Sequence, residues 1–182
     1  MLGLAFIGGE GPEPDFCRLL ARGASLIVAA DSGLQTAENA GLRPDWIIGD
    51  MDSIDDLGRL EKYPADKIRR FQPDKDQTDT ELALDLLWEQ GCDKTCILGG
   101  GGGRLDHIFA LRSLFEREKY PKRWITKNED IYCLDALNTS GGALNIKVPL
   151  NSLVSVFPLG RSPWEIESHG LKWPLNGLNW EM

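Results

Sequence analysis

The stretch AADSGLQTAENAGLRPDWIIGDMDSI, residues 29–54, decides the fold. One apolar run ends at the start of this stretch and a second lies inside it, and each is followed by aspartate. The first run ends at Asp31, and the second, DWII, is followed closely by Asp50 and Asp52. Short apolar runs bounded in this way predict buried β-strands. If the two strands lie parallel in one sheet, the three aspartates emerge together at its carboxyl edge, where open α/β sheets bind ligands.

These aspartates predict a magnesium site that handles a polyphosphate. Three carboxylates in one crevice repel one another unless a cation lies between them. Oxygen ligands of this kind suit Mg²⁺, whose coordination is usually completed by substrate phosphates. For Asp31 alone, a turn or a helix cap is the simpler interpretation. Asp50 and Asp52 favour the metal site, because residues two apart in an extended stretch point to the same side and can face one ion.

Composition and charge limit the classes of partner. The 182 residues are 42% apolar and 26% charged, as in an ordinary soluble globular protein, and the formal net charge is −8. Nucleic-acid and membrane-surface partners both call for a basic face, so neither is expected. The four cysteines show no zinc-like pairs and are expected to be reduced, and the opening MLGLAFIGGEGPEP has no basic region before its short apolar run. We therefore expect a cytoplasmic protein.

Apolar runs and helical periods alternate along the first part of the chain. Strands are predicted at 2–7, 25–30, 45–48, 67–71 and 94–98, and helices at 15–22, 34–40, 54–62, 78–90 and 104–118. Short β-α-β connections of this kind enforce a parallel sheet with helices on its faces. Residues 1–126 are therefore expected to form a three-layer α/β domain.

The pattern of predicted secondary structure changes after Pro121. Short strands are predicted at 123–126, 131–136, 143–148, 153–157 and 164–167, separated by Asn, Gly, Pro and Ser with no helical period between them. This pattern is typical of a small antiparallel β unit. With a boundary near 127–130, residues 127–182 are assigned to a second domain.

The segment KDQTDTE at 75–81 places three acids and one lysine at the start of a predicted helix. Thr78 and Glu81 have the spacing of a capping box, so the helix should begin at Thr78 with Asp79 in its first turn. An acid there offsets the helix macrodipole whatever the site does, and the flanking charges can belong to a solvated loop. Free backbone N–H groups at a helix start also favour phosphate. The residues alone leave both interpretations open.

Five glycines, Gly99–Gly103, follow a predicted strand and precede a predicted helix, which is the position of a phosphate-binding loop. No Lys-Ser/Thr pair follows them as in a P-loop, and Arg104 stands where the dinucleotide fingerprint has its last glycine. A plain turn needs only one or two glycines. Arg104 can pair bidentately with phosphate oxygens, and Asp106 can add a further carboxylate.

Taken together, these motifs resemble the thiamine pyrophosphokinase family. The matching blocks, in the family's order, are DSG at 31–33, PDWIIGDMDSI at 44–54, KDQTDTELAL at 75–84, GGGGGRLDH at 99–107, VSVFPLG at 154–160 and GLKWPLN at 170–176. The resemblance implies an N-terminal α/β catalytic domain at 1–126 that binds the nucleotide, and a C-terminal β-sandwich at 127–182. The sandwich would bind thiamine and form a homodimer. The implied reaction moves the terminal diphosphate of ATP to the hydroxyethyl oxygen of thiamine, giving thiamine diphosphate and AMP, with Mg²⁺.

The resemblance also implies roles for individual residues. The acids that match those holding Mg²⁺ and the phosphates are Asp31, Asp50, Asp52 and Asp79, with catalysis and metal ligation assigned to the last three. The ATP- and phosphate-binding positions are Asp31, Lys75, Asp76, Thr78, Gly102, Gly103, Arg104 and Asp106. Asp79 or Asp52 would accept the proton of the thiamine hydroxyl. Trp173, in the GLKW block, is expected to contact thiamine.

Family members continue past the GLKW block, whereas this sequence ends at Met182, so the β-sandwich is expected to be truncated. Two other functions stay open. One is a Mg²⁺-dependent hydrolase or transferase that acts on another nucleotide or pyrophosphate. The other is a non-catalytic module that binds nucleotide or thiamine, although a mere binding pocket has little need for four mutually repelling carboxylates.

Overall fold

The computed structural model describes residues 1–54, 56–72, 74–134, 142–160 and 166–178. The chain divides into two compact units, Met1–Cys133 and Leu134–Met182. Within the described ranges, no helix is both long enough and apolar enough to cross a membrane.

The secondary structure described in the first unit alternates between strands and helices. The strands are β1 (Leu2–Phe6), β2 (Leu26–Ala30), β3 (Trp46–Gly49), β4 (Ile68–Arg70), β5 (Lys94–Leu98), β6 (Arg123–Ile125) and β7 (Asp130–Tyr132). The α-helices are α1 (Pro14–Ala21), α2 (Gly33–Asn39), α3 (Asp79–Glu89) and α4 (Leu105–Ser113). Short 3-10 helices cover Leu57–Lys62, Ala65–Lys67 and Leu114–Glu116.

The strands form one sheet in the order β4-β3-β2-β1-β5-β6-β7. Neighbouring strands are parallel, except that β6 and β7 are antiparallel. Right-handed crossovers place α1 and α2 on one face of the sheet and α3 and α4 on the other. The direction in which successive strands are added reverses between β1 and β5, so their carboxyl ends form the topological switch point. The predicted α/β fold with a parallel sheet is confirmed.

The sheet is covered on both faces. Side chains alternate between the two faces along a strand, and β1 shows the consequence directly. Leu4 is fully buried in an apolar core that includes Cys17 of α1 and Leu34 of α2. A Cβ on neighbouring Gly3 would lie 2.7 Å from the side chain of Leu87 in α3. The two layers of helices therefore pack on opposite sides of the same strand, as a three-layer domain requires.

Two predicted helices take a different form. The helix predicted at 54–62 is a 3-10 helix over Leu57–Lys62, capped by Asp56, whose side chain accepts the Gly58 N–H at 2.9 Å. Gly58 lowers the α-helix propensity of this segment. The helix predicted to residue 118 ends at Ser113 and continues as the 3-10 turn Leu114–Glu116. Such tightening of the last turn is common at helix ends.

Strand β7 is the last strand of the first unit. Strand β7 pairs antiparallel with β6, so that Ile125 faces Asp130 and Arg123 faces Tyr132. The Arg123 guanidinium also donates two hydrogen bonds to the Asp130 carboxylate, at 2.7 and 2.6 Å. Because these contacts attach residues 130–132 to the sheet, the compact unit ends at Cys133.

The second unit contains no strand in its described residues, 134, 142–160 and 166–178. The strands predicted at 143–148 and 153–157 are therefore not formed there. A strand is stable only when a neighbouring strand satisfies its backbone hydrogen bonds, and the apolar side chains of this segment face solvent, with Leu153 100% exposed. Residues 135–136 and 164–165, in two further predicted strands, lie outside the described residues. The β-sandwich and its boundaries stay a prediction.

We predict that Gly33→Ala destabilises the first unit. A Cβ at Gly33 would lie 2.1 Å from the Phe6 carbonyl oxygen and 2.7 Å from the Ile7 Cα. Backbone atoms cannot move aside easily, so we expect the free energy of unfolding, measured in urea, to fall by about 1–3 kcal/mol. Gly23→Ala is the matched control, because its Cβ would meet only the Leu20 carbonyl oxygen at 3.8 Å. Equal losses in the two variants would contradict the prediction.

Candidate functional site

Three carboxylates meet at the carboxyl edge of the sheet. Asp31 follows β2, Asp50 follows β3, and Asp79 is the first residue of α3. One carboxylate oxygen of each lies within 4.8 Å of the other two, and all three residues are partly buried. The structure therefore brings together three acids that the sequence singled out, and we call Asp31, Asp50 and Asp79 the acid cluster.

The turn after β3 holds the Asp31 carboxylate in place. Asp31 Oδ1 accepts the Met51 backbone N–H at 3.0 Å. Asp31 and Met51 both have positive φ, at 47° and 68°, a conformation that costs a non-glycine residue about 1–2 kcal/mol. Gly49 has a φ of 140°, and a Cβ there would lie only 1.9 Å from Asp31 Oδ1. Glycine is therefore required at position 49 for the carboxylate to lie here.

Asp52 lies outside the acid cluster, although the sequence grouped it with Asp50 and Asp79. Its backbone N–H donates to Asp50 Oδ1 at 3.1 Å, and its own side chain is exposed. The positive φ of Met51 interrupts the extended conformation, so the same-side rule for residues two apart does not apply. A hydrogen bond to Asp50 and the negative charge of Asp50 raise the pKa of the Asp52 carboxyl. Asp52 is therefore hydrogen-bonded to Asp50 but is not itself a member of the acid cluster.

Crowding of like charges affects the protonation of Asp31. Burial is the largest cause that raises its pKa, from 3.8 to about 7, followed by the hydrogen bond and the negative charge of Asp79. The Met51 N–H lowers this pKa, and the charge of Asp50 raises it further. The cluster therefore carries a repulsion that a proton or a cation can relieve.

Lys75 contributes a positive charge beside the acid cluster. Its Nζ donates to Asp79 Oδ1 at 2.5 Å, and the two side chains are only 15% and 25% exposed. Lys75 Nζ also lies 5.7 Å from the centroid of the Phe71 ring. Nearby Asp76 is exposed. Of these two predicted phosphate-binding residues, the structure brings Lys75 to the cluster and leaves Asp76 at the surface.

The start of α3 has the predicted capping box. Thr78 Oγ1 accepts the Glu81 N–H at 3.3 Å, and Glu81 Oε2 accepts the Thr78 N–H at 2.6 Å. Thr78 is therefore the N-cap, and Asp79 is the first helical residue. The hydroxyl of Thr78 is engaged in holding the helix end, directly next to one of the three clustered acids.

Two of the glycines in the turn Gly99–Gly103 lie very close to the backbone of the segment after β1. A Cβ at Gly99 would lie 2.3 Å from the Ile7 carbonyl oxygen, and a Cβ at Gly101 would lie 2.7 Å from that of Glu10. Gly101 and Glu10 also exchange two backbone hydrogen bonds, at 2.7 and 3.0 Å. These glycines therefore allow the loops that follow β1 and β5 to join across the switch point.

Gly102, Gly103, Arg104 and Asp106 lie at the exposed end of this turn. Arg104 donates two hydrogen bonds to the Asp106 carboxylate, at 3.1 and 2.6 Å, and this guanidinium lowers the pKa of the Asp106 carboxyl. Strand β1 lies between β5 and β2, a separation of about 10 Å at ordinary strand spacing. The four residues therefore share the carboxyl edge with the acid cluster but are not part of it.

Trp173 belongs to the second unit. Its side chain is 75% exposed, and Lys172 Nζ lies 4.6 Å from its ring centroid. A thiamine contact at Trp173 stays a prediction.

Two features of this edge were missed from the sequence. Ser53 Oγ accepts the Ser32 N–H at 3.3 Å, which links the turns after β2 and β3. A cleft of about 260 Å³ lies beside the switch point, lined mainly by residues 10–14 with Thr36 and Lys127. The signal for this cleft is the loop GGEGPEP, where glycines and prolines shape the chain directly after the first strand.

We predict that Asp31 makes the folded protein less stable as the pH rises. Its pKa is about 7 in the folded protein, against an ordinary value of 3.8. Between these two values the folded protein binds a proton that the unfolded chain releases, so the free energy of unfolding falls as the pH rises. Asp31→Asn should remove this part of the fall. Urea unfolding at about pH 5 and about pH 7.5, with a metal chelator present, measures it.

Asp15→Asn is the control for this experiment. The Asp15 side chain is 91% exposed, and its partner is Arg18, a residue type that keeps its charge in proteins. Wild type and Asp15→Asn should lose stability in parallel, whereas Asp31→Asn should lose less. Three equal losses would show that Asp31 titrates normally in the folded protein.

Comparison of the sequence with known proteins identifies relatives of this chain. A family model described as "Thiamin pyrophosphokinase, catalytic domain" matches residues 17–125. The thiamine pyrophosphokinase of Bacillus subtilis (strain 168) is 33% identical over 161 residues, which are 85% of this chain and 72% of that protein.

Solved structures agree with the comparison of sequence. The thiamine pyrophosphokinase from Bacillus subtilis matches with a TM-score of 0.54, and the thiamin pyrophosphokinase from Geobacillus thermodenitrificans with a TM-score of 0.53, each at 29% identity. Both matches cover 69% of this chain, which spans 61% and 60% of the two structures. The chain belongs to the thiamin pyrophosphokinase family.

Proposed function

We propose that this chain transfers a diphosphate group from ATP to thiamine, giving thiamine diphosphate and AMP, and that the reaction requires Mg²⁺. The observation that carries the proposal is the meeting of Asp31, Asp50 and Asp79 within 4.8 Å at the carboxyl edge of a parallel sheet. Family membership suggests the reaction, and the clustered carboxylates offer a means of holding a metal-bound polyphosphate.

The acid cluster fits Mg²⁺. Its donors are carboxylate oxygens, the ligand type that this ion takes in proteins. The pKa of Asp31, raised to about 7 by burial and by Asp79, indicates that the protein alone compensates these charges poorly. We assign the ion to Asp31, Asp50 and Asp79, with Asp52 next to Asp50. When bound, Mg²⁺ neutralises negative charge on the phosphoryl oxygens during the transfer.

Lys75 and Arg104 are suited to bind the phosphates. Lys75 contacts Asp79 at 2.5 Å and so lies directly beside the acid cluster. Arg104 has a side chain that is 74% exposed, and its planar guanidinium can pair with two phosphate oxygens at once. Exposed Gly102 and Gly103 leave room for phosphate next to Arg104. A triphosphate that extends from the cluster past β1 would meet both cations.

Asp52 is better placed than Asp79 to accept the proton of thiamine. Asp79 already accepts a hydrogen bond from Lys75. The Asp52 side chain is exposed, and Asp50 raises the pKa of its carboxyl, which makes Asp52 a stronger base. The thiamine hydroxyl oxygen forms a bond to the β-phosphorus of ATP, while the bond from that phosphorus to the α–β bridging oxygen breaks. AMP leaves with the electron pair, and the hydroxyl proton passes to Asp52.

Three further expectations are a cytoplasmic location and, from the family resemblance, a homodimer and thiamine binding by residues 127–182. Each of them stays a prediction.

We expect AMP and thiamine diphosphate to appear in equal amounts when the protein, ATP, Mg²⁺ and thiamine are mixed. Chromatography of the nucleotides and the thiamine esters measures both products. ADP as the only nucleotide product would reject diphosphate transfer. A rate of ATP turnover that does not depend on thiamine would favour a Mg²⁺-dependent hydrolase or transferase with another substrate. Calorimetric binding of ATP or thiamine without any AMP would favour a non-catalytic module.

We predict that Asp50→Asn lowers kcat by about 100-fold or more, because it removes one of the three carboxylates assigned to the Mg²⁺ that would neutralise the transferring phosphates. The Mg²⁺ concentration needed for half-maximal activity should also rise. Asp15→Asn is the matched control, since Asp15 lies in the first turn of α1 with its side chain 91% exposed. Full activity of Asp50→Asn at ordinary Mg²⁺ would exclude the acid cluster as the metal site.

A further inference from the structure

Glu81 is an almost buried acid that the proposed chemistry does not use. Its side chain is only 10% exposed, and its two carboxylate oxygens have different partners. Oε2 accepts the Thr78 N–H at 2.6 Å in the capping box, and Oε1 forms an ion pair with Arg117. Acids are rarely buried to this extent unless they are paired. The capping box needs only the contact with Thr78, so the Arg117 contact is not required for the cap.

Arg117 reaches Glu81 from a distant part of the chain. The two residues are 36 positions apart, and Arg117 follows the 3-10 turn that continues α4. The ion pair therefore joins the segment after α4 to the first turn of α3. A contact between separate elements constrains the helix end more strongly than a local cap does, because it fixes Glu81 relative to the rest of the unit.

The first turn of α3 carries one member of the acid cluster. Asp79 directly follows the N-cap Thr78, and its carboxylate lies within 4.8 Å of those of Asp31 and Asp50. Any shift of the helix end moves Asp79 relative to the other two acids. Groups that lie behind a metal ligand and set its orientation commonly contribute to the affinity for the metal.

We propose that Arg117 is a positioning residue for the acid cluster. Through Glu81 it fixes the N-terminus of α3, so that the Asp79 carboxylate faces Asp31 and Asp50. The inference rests on the proposed function only in taking these three carboxylates as the cation site. Arginine suits this role because its guanidinium is planar, stays charged at any working pH and binds carboxylates with defined geometry.

The test measures binding of Mn²⁺, which takes oxygen ligands as Mg²⁺ does and whose free form is detected by electron paramagnetic resonance. The full chain is titrated without nucleotide as wild type, Arg117→Gln and Arg117→Lys. We expect Arg117→Gln to raise the Kd for Mn²⁺ about 10-fold, as loss of an outer-shell partner does. Arg117→Lys keeps the charge and should raise the Kd by only about 2- to 3-fold.

Arg112→Gln is the matched control. Arg112 forms an ion pair with Glu116 at the end of α4, and its side chain is 48% exposed, close to the 42% of Arg117. The same substitution therefore removes a similar arginine from the same part of the chain without touching α3. Arg112→Gln should bind Mn²⁺ with the Kd of the wild type.

Thermal unfolding separates positioning from stability. A purely structural role predicts a lower midpoint for Arg117→Gln with an unchanged Kd, and that result would overturn the proposal. If Arg117→Gln does not fold, Arg117→Lys decides, since an unchanged Kd overturns the proposal and a raised Kd supports it. The double variant Asp79→Asn/Arg117→Gln should bind Mn²⁺ no more weakly than Asp79→Asn, because Arg117 acts through Asp79.

Failure of the proposed function gives a different pattern. A wild-type chain that does not bind Mn²⁺ lacks the cation site, and both proposals are then wrong. If the wild type and Arg117→Gln bind Mn²⁺ with the same Kd, only the role proposed for Arg117 is wrong. A raised Kd in Arg117→Gln without any thiamine diphosphate in the product assay rejects the reaction and supports the role of Arg117.

Discussion

Repulsion among carboxylates is the constraint on which the carboxyl edge of this protein depends. Asp31, Asp50 and Asp79 lie within 4.8 Å of one another, so the backbone must hold them against their charges. Positive φ values at Asp31 and Met51, and a glycine at 49 where no Cβ fits, provide that hold. Strained backbone of this kind costs about 1–3 kcal/mol per residue and concentrates at functional sites. The strained backbone and the crowded carboxylates therefore lie at the same part of the sheet edge, as expected of a functional site.

The same edge carries a second, separate group of residues. The glycine-rich turn is joined to the loop after β1 by the hydrogen bonds between Glu10 and Gly101, and it presents Arg104 at its exposed end. Strand β1 separates β5, which leads to this turn, from β2, which leads to Asp31, and this separation is about 10 Å at ordinary strand spacing. An extended anion can connect the two groups, because one end would need a cation among the acids and the other would meet a guanidinium. A cation among the acids would give both ends positive charge, which favours an extended polyphosphate over a compact anion.

Sequence predicted the parts of this site that depend on topology and helix capping. Asp31 and Asp50 follow buried parallel strands, so their convergence could be predicted from spacing. Thr78 with Glu81 marks the start of α3, but the place of Asp79 beside the other two acids followed only from the family resemblance. The position of Asp52 could not be predicted, because the left-handed Met51 turns the chain between Asp50 and Asp52. The link from Arg117 to Glu81 is equally hidden, since 36 residues separate the two and no local pattern joins them. Strands predicted at 143–148 and 153–157 failed because alternation alone supplies no neighbouring strand.

The three clustered acids differ in the partners that their carboxylates contact. The Asp79 carboxylate accepts a hydrogen bond from the Lys75 ammonium, whereas the backbone donor to the Asp31 carboxylate is the neutral Met51 N–H. Asp31 is also buried against two negative neighbours, so its pKa rises to about 7. A proton on Asp31 and a divalent cation in the cluster relieve the same repulsion. They are therefore competing ligands, since a metal takes the deprotonated carboxylate and releases the proton.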